Sequence, residues 1–443
     1  MFSRIRFNRK SIFAAVAILA AALSLTLAPA ARAGNAVPEA MPTGTETVLY
    51  SFGAGPTAGK CKIGDGAAPF GSLTYVAATG LLFGTTSTTT SEGNGDGTVF
   101  QIMPDGSDYV VDHYFTGAKT DGNDPRTNAM TLVGTVLYGT TLTGGQNSNG
   151  TIFSINDDGT GYSSPPLYDF AKTAKNNAGD QPTSSFVAVG SVLYGMTSEG
   201  GKKGGTTGDG AIFSFDTSSN TYSRLYSFTG KQGADPHGQL ILDPNGTTFY
   251  GMTRAGGAHD VGVIFSFSAK CSAVSCKYKY KVLHNFACPG HSTPMCIDSS
   301  DGATPDHGTL VQNNSTLYGL TTYGGAFGNG ALFSIHTDGS HFKILQSFGK
   351  PGTNDGINPY GSLMLNGTTL YGMTQLGGSQ GFGTVFQIDT TGDNYDRIYD
   401  FQGGDDAANP IDNVILLDNT LYGMTETGGQ CGDGAIFSLV PPP

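Results

Sequence analysis

Asp355-Gly356-Ile357-Asn358-Pro359, then Leu370-Tyr371-Gly372-Met373-Thr374, Gly377-Gly378 and Gly383-Thr384-Val385-Phe386 form the passage that decides the fold, because every part of it recurs. An aromatic strand ending in glycine stands at Leu82-Phe83-Gly84, Leu137-Tyr138-Gly139, Leu193-Tyr194-Gly195, Phe249-Tyr250-Gly251, Leu317-Tyr318-Gly319, Leu370-Tyr371-Gly372 and Leu421-Tyr422-Gly423. A Thr follows two residues after each of these glycines. A G-x-[VIL]-F stretch ends at Phe100, Phe153, Phe213, Phe265, Phe333, Phe386 and Phe437. A small residue leads to Pro three positions on, from Gly66 to Pro69 in the first copy and from Ala407 to Pro410 in the last. The strand-ending glycines are 55, 56, 56, 68, 53 and 51 residues apart, and the longest interval holds an insertion between Lys270 and Ser300.

Seven units of about 50 residues, with short strands and Gly-rich turns, predict the blades of a β-propeller. Repeat four shows the four strands. They are expected at Leu240-Ile241-Leu242, Thr248 to Met252, Val263 to Phe267 and Tyr278 to Phe286, with a turn at Asp243-Pro244-Asn245-Gly246. The strand interiors are Val, Ile, Leu, Tyr and Phe, as half-buried pleated surfaces prefer. Phase predicts how the ring closes. Val48-Leu49-Tyr50-Ser51-Phe52 reads as a fourth strand, whereas the last repeat stops after its third, at Ile436-Phe437-Ser438-Leu439. The N-terminal strand should therefore complete the seventh blade and leave no exposed sheet edge. The expected fold is all-β, a seven-bladed propeller with four antiparallel strands per blade.

Composition bounds what such a ring does. The 443 residues include 67 Gly, 21 Pro and no Trp, with 13% charged residues and a formal net charge of −12. An acidic balance with no Lys/Arg cluster argues against a nucleic-acid partner. Residues 1–33 read as a secretory signal. Arg4, Arg6, Arg9 and Lys10 precede the apolar run Ile12 to Leu27, and Ala31-Arg32-Ala33 is a cleavage pattern. Cleavage after Ala33 lowers the formal charge from −12 to −17, since the segment holds five basic residues and no acids. Residues 34–44 read as a linker, 45–440 as the propeller and 441–443 as a tail. The mature chain is expected to be secreted or periplasmic, monomeric and without a membrane span.

Six cysteines in an exported chain read as disulfides. Cys271 and Cys276 bracket a hairpin, and Cys288 and Cys296 lie in the insertion. Cys61 and Cys431 remain, and the propeller places both on one face, where a bridge would lock the closure. Sequence alone allows about fifteen pairings. No spacing suits a metal, so none is expected among the cysteines.

The repeat marks resemble the choice-of-anchor tandem-repeat proteins called GloVer-containing. Their unit runs Ser-Phe, Asp-Gly-x-x-Pro, Leu-Tyr-Gly-x-Thr, Gly-Gly and Gly-Thr-Val-Phe. The resemblance covers about Thr45 to Leu439. It implies an exported bacterial protein, often surface-anchored, and carries no catalytic residues with it. Two departures stand out: the first repeat lacks Gly-Gly, and no anchor follows the seventh.

Residues that recur in register read as structural, so variable positions at fixed offsets are the functional candidates. One ring follows the crossover Pro: Phe70, Arg126, Thr183, His237, Asp306, Tyr360 and Ile411, with His307 after Asp306. A second sits near Gly-Gly: Glu199, Arg254, Tyr323, Gln375 and Glu426. Both should face one axial mouth, where mixed charge and aromatic rings suit a polar ligand. No G-x-S-x-G or H-E-x-x-H signature is present. The expected function is a non-catalytic binding scaffold recognising polysaccharide or an envelope or extracellular protein at the mouth. The alternative is a secreted lyase or hydrolase using a His/Asp/Arg set in the funnel. No cofactor is expected, although the Asp-Gly loops at Asp65, Asp121, Asp301 and Asp355 leave Ca²⁺ open.

Overall fold

The computed structural model describes residues 44–53, 64–89, 95–126, 129–171, 178–201, 208–271, 276–287, 296 and 301–442. The chain divides into two compact units, Met1–Ala40 and Met41–Pro443. Residues 1–33, read above as a secretory signal, and residues 34–43 of the expected linker lie outside the described residues.

Seven small antiparallel sheets are arranged as a seven-bladed β-propeller, and the described residues contain no helix. In blade four the strands are Ile241–Leu242, Thr248–Thr253, Val263–Cys271 and Cys276–Asn285. The last two run longer than the sequence indicates, and their hairpin ends at the Cys271–Cys276 backbone pair. The Asp243–Gly246 turn forms as expected: Gly246 N–H donates to the Asp243 carbonyl at 2.8 Å, and Gly246 takes a φ of 70°. Closure also follows the sequence. Thr45–Ser51 pairs antiparallel with Ala435–Val440, from Thr45 opposite Val440 to Ser51 opposite Ala435.

Each repeat mark has a steric cause. The strand-ending glycine sits directly opposite the phenylalanine of the third strand, as in Gly251–Phe265. A Cβ on Gly251 would lie 2.7 Å from the Phe265 ring tip. The bare backbone lets the ring lie flat across the neighbouring strand, and Phe265 is fully buried. Burying such a ring is worth roughly 4–6 kcal/mol gross. The glycine of G-x-[VIL]-F packs against the crossover proline of the next blade, Gly262 on Pro305, and Gly434 on Pro69 across the closure. The Thr hydroxyl donates to the carbonyl two residues on, Thr253 to Ala255 at 2.9 Å. Leu is the deepest member of Leu-Tyr-Gly: Leu193 is fully buried while Tyr194 is half-buried.

The core lies between blades. Met196, Ile212 and Phe228 of blade three pack on Leu240, Phe249, Val263 and Phe265 of blade four. A second interblade contact has no repeat signature: fourth-strand aromatics stack on a ring of the following blade. Tyr226 stacks on Tyr280 at 4.3 Å and His113 on Tyr162 at 3.4 Å between centroids.

The Asp-Gly loops are held by hydrogen bonds from the strands and turns beside them. Asp121 accepts from Thr116 N at 3.0 Å, Gly122 N at 2.8 Å and Tyr162 Oη at 2.7 Å, and lies 3.2 Å from His113 Nε2. Asp65 accepts from Tyr50 and Gly53 N, and Asp301 from Ala287 N and Gly302 N. Asp355 accepts from Lys350 N at 3.3 Å. These carboxylates cap strand ends, which is what Asp does in turns.

Cys61 and Cys288 lie outside the described residues, as do the side chains of Cys271 and Cys276. Cys296 and Cys431 carry no free thiol. The Cys431 sulfur lies 3.1 Å from the carbonyl oxygen of Gly53, at the end of the closing strand.

Candidate functional site

The crossover into each blade bends through a left-handed residue just before its proline. Ala68, Asp124, Gln181, Asp235, Thr304, Asn358 and Asn409 have φ between 48° and 59°. Asp and Asn tolerate this conformation better than most residues. The bend delivers the residue after proline to the mouth of the axis, and it brings Asp124 and Asp235 there as well. These two carboxylates were not among the sequence candidates. Their signal was the Asp-Pro dipeptide at a position where the other repeats hold Ala, Gln, Thr or Asn.

Four residues from two blades close a ring of charge. His237 Nδ1 is 2.7 Å from Asp306 Oδ1, and its Nε2 is 2.9 Å from Asp235 Oδ1. Arg254 reaches both remaining oxygens, Nε to Asp306 Oδ2 and Nη1 to Asp235 Oδ2, each at 2.9 Å. Every carboxylate oxygen of the pair is therefore engaged by a cation. Burial alone would depress the His237 pKa. The Asp306 charge and hydrogen bonds to Asp235 and Asp306 outweigh burial and lift it from 6.5 to about 9. Burial opposes ionisation of Asp306 too, but His237 and Arg254 hold it well below the carboxylate range. With both nitrogens donating, His237 is an imidazolium at neutral pH.

Repeat five carries one extra residue between its proline and the first-strand leucine, Asp306-His307-Gly308-Thr309 against His237-Gly238-Gln239 in repeat four. His307, rather than Asp306, therefore occupies the place equivalent to His237. It has a φ of 55° and its side chain is only 10% exposed. Burial and the neighbouring His237 and arginine charges outweigh Asp306 and lower its pKa to about 3, so the ring is neutral. It stacks on Tyr360 at 5.0 Å and meets Phe70 edge-on at 5.3 Å. Arg126 lies over Phe70 at 5.1 Å and pairs with Asp124 at 2.7 Å. The Arg126 and Arg254 side chains are each 40% exposed, whereas Asp306 beneath them is 12% exposed. The surface of the mouth is thus guanidinium and aromatic, with the acids below it.

The structure brings together Arg126, His237, Arg254, Asp306, His307 and Tyr360. Tyr323 is near enough that, after burial, Asp306 raises its pKa. Glu426 belongs to the same rim: burial raises its pKa, Arg126 and Gln375 oppose this, and Gln375 Nε2 is 3.5 Å from its Oε2. Glu199 lies at the end of its strand, opposite Asp180. Thr183 and Ile411 are buried packing residues, so not every post-proline position reaches the rim.

His237, Asp306 and His307 place potential ligand atoms within 4.8 Å of one another. In the charge ring both His237 nitrogens donate to carboxylates, so a metal at this cluster would have to displace the His237 proton. At the hairpin end of the axis an open cavity of about 620 Å³ is lined by Leu242, Pro244, Leu310, Leu363 and Leu416, with Gln312 and Asn413 as polar members.

Distant propellers share the architecture. An oligogalacturonate lyase solved with manganese is 10% identical, with a TM-score of 0.53 over 91% of this chain and 99% of that one. The extracellular domain of the hybrid two-component system BT4673 from B. thetaiotaomicron is 15% identical, with a TM-score of 0.51 over 90% of this chain and 39% of that one. The periplasmic gluconolactonase PpgL of Pseudomonas aeruginosa is 12% identical, with a TM-score of 0.47 over 74% and 84%. At these identities the likeness is one of fold. No curated protein sequence matches the chain. The repeat itself is specific: residues 68–295, 202–353 and 290–443 match the Gloeobacter/Verrucomicrobia repeat, and the chain belongs to that GloVer family.

Proposed function

We propose that the mature chain is an exported, monomeric binding scaffold whose axial mouth recognises carbohydrate, without turning it over. The observation that carries this reading is the His237 ring held between two carboxylates. A general base needs a free lone pair near neutral pH. His237 does not supply one, while His307 is buried and a poor base. What remains accessible is a pair of guanidiniums beside Phe70 and Tyr360. Planar donors and ring faces of this kind bind the hydroxyls and flat faces of sugars.

The test is binding of the purified mature chain to a panel of polysaccharides and cell-envelope fractions, with the products of any bound glycan analysed for cleavage. The reading expects saturable binding to a glycan, at least tenfold weaker binding for Arg254→Ala, and no cleavage. Binding confined to protein fractions would move the reading to an extracellular protein partner. Cleavage that is lost in His307→Ala would replace it with the lyase or hydrolase alternative.

A further inference from the structure

Beneath the mouth the propeller narrows to a collar. The backbones of Gly238, Gly308, Gly361 and Asp412, from blades four to seven, stand shoulder to shoulder: a Cβ on Gly238 would overlap the Gly308 carbonyl, and one on Gly361 would overlap the Asp412 backbone. Asp412 thus stands where its neighbours carry glycine, with a φ of 70° and its N–H donating to the Tyr360 carbonyl at 3.2 Å. The next layer down is polar in six blades: Ser72, Ser185, Gln239, Thr309, Ser362 and Asn413. These residues link blade to blade. Gln239 N donates to Thr309 Oγ1 at 3.1 Å, Thr309 N to Ser362 Oγ at 2.9 Å, and Asn413 N to Ser72 Oγ at 3.4 Å. Their oxygens therefore sit in the joints between neighbouring innermost strands, and Ser72 Oγ also donates to Asn413 Oδ1.

Two of these buried oxygens have no partner among the described residues, Asp412 Oδ2 and Ser185 Oγ. Asp412 is 1% exposed and Ser185 3%. A buried carboxylate oxygen left unpaired costs several kcal/mol, and the mouth cations above are already engaged by Asp235 and Asp306. The other Asp412 oxygen accepts from the Ser362 hydroxyl at 3.4 Å, and Ser72 and the Asn413 N–H also hydrogen-bond to the carboxylate. Burial pushes the Asp412 pKa up to about 7.

We propose that the collar holds one hard, oxygen-seeking cation of the Ca²⁺ class on the propeller axis. Asp412 is its charged ligand, and Ser362, Asn413 and Ser185 supply neutral oxygens, directly or through bound water. Oxygen-only donors with a single carboxylate select a hard cation and give weak binding, with a Kd of about 10⁻⁴–10⁻³ M, as in extracellular modules. The site is independent of what the mouth binds.

The experiment is calorimetric titration of the chelator-stripped mature chain with CaCl₂, and separately with MgCl₂. The expected result is one Ca²⁺ per chain with weaker Mg²⁺ binding, because Mg²⁺ demands stricter octahedral geometry. Asp412→Asn should lose at least tenfold in Ca²⁺ affinity. Asn accepts the left-handed backbone and removes the buried charge, so the variant is expected to fold. Ser185→Ala should weaken binding a few-fold, and Asp355→Asn, in a surface Asp-Gly loop, should leave it unchanged. No saturable Ca²⁺ binding up to about 10 mM, or wild-type affinity in Asp412→Asn, overturns the proposal.

Discussion

Replacing His237 with Gln removes the only charge that touches both Asp235 and Asp306 besides Arg254. The size of the effect follows from linkage. The folded pKa of about 9 exceeds the ordinary imidazole value of 6.5, so the protonated ring stabilises the folded state. At about 1.4 kcal/mol per pH unit, this amounts to about 3 kcal/mol. The sign follows from the raised value: the contribution is complete below pH 6.5, declines between 6.5 and about 9, and is absent above. Glu46, pushed up to about 8 by burial and by Asp406, and Asp412 lose stability over overlapping ranges. The informative quantity is therefore the gap between wild type and His237→Gln in urea denaturation at each pH. That gap should shrink by about 3 kcal/mol between pH 6.5 and 9, and the His237 ring should titrate near 9 by NMR. A gap independent of pH, or a ring titrating near 6.5, would refute the charge cycle and with it the argument that His237 cannot act as a base.

Gly262→Ala combines a φ of 100° with a Cβ 2.8 Å from Pro305, so it should lower stability by at least about 2 kcal/mol, read as a drop in Tm; an unchanged Tm contradicts the blade-to-blade contact. Asp121, which His113 and Tyr162 hold at about 2 against burial, should contribute about 2 kcal/mol that is present above pH 4 and lost as pH falls to 2. Asp121→Asn should remove that acid-side slope in denaturation curves. A Cys61–Cys431 bridge should appear in non-reducing peptide maps, since Cys431 sits against Gly53; a map joining Cys61 to Cys288 would move the lock elsewhere.

The fold was legible because each repeat mark answers a steric demand that every blade must meet. Gly251 makes room for Phe265, and Gly262 for Pro305, so neither varies between repeats. Closure was legible from phase, because a lone fourth strand at Thr45–Ser51 has one vacancy to fill. The interblade stacks were hidden because a stack accepts Tyr, His or Phe at either place, as Tyr226–Tyr280 and His284–Phe342 show. Within the site, the sequence named His237, Arg254 and Asp306 but not their ring. Asp306 lies 69 residues from His237, and only the annular geometry brings them into contact. The one-residue lengthening of repeat five was visible, but its effect was not. It places His307 in the stack with Tyr360 and frees Asp306 to reach back to blade four.

Because Thr45 lies opposite Val440, the first and last strands of the ring are neighbours in one sheet. The position of the chain break is thus a matter of covalent order and not of packing. A circular permutant that joins these ends by a short linker and opens at the exposed Asp243–Gly246 hairpin would keep every blade contact. It would move the non-covalent seam from blade seven to blade four. The seam is also the joint across which the backbone is not continuous, so strand pairing, the Gly434–Pro69 packing and the core around Phe52 and Ile436 hold it. During synthesis it is made last, when the final strand meets the first, so the ring gains its full cooperativity only once the whole repeat array is present.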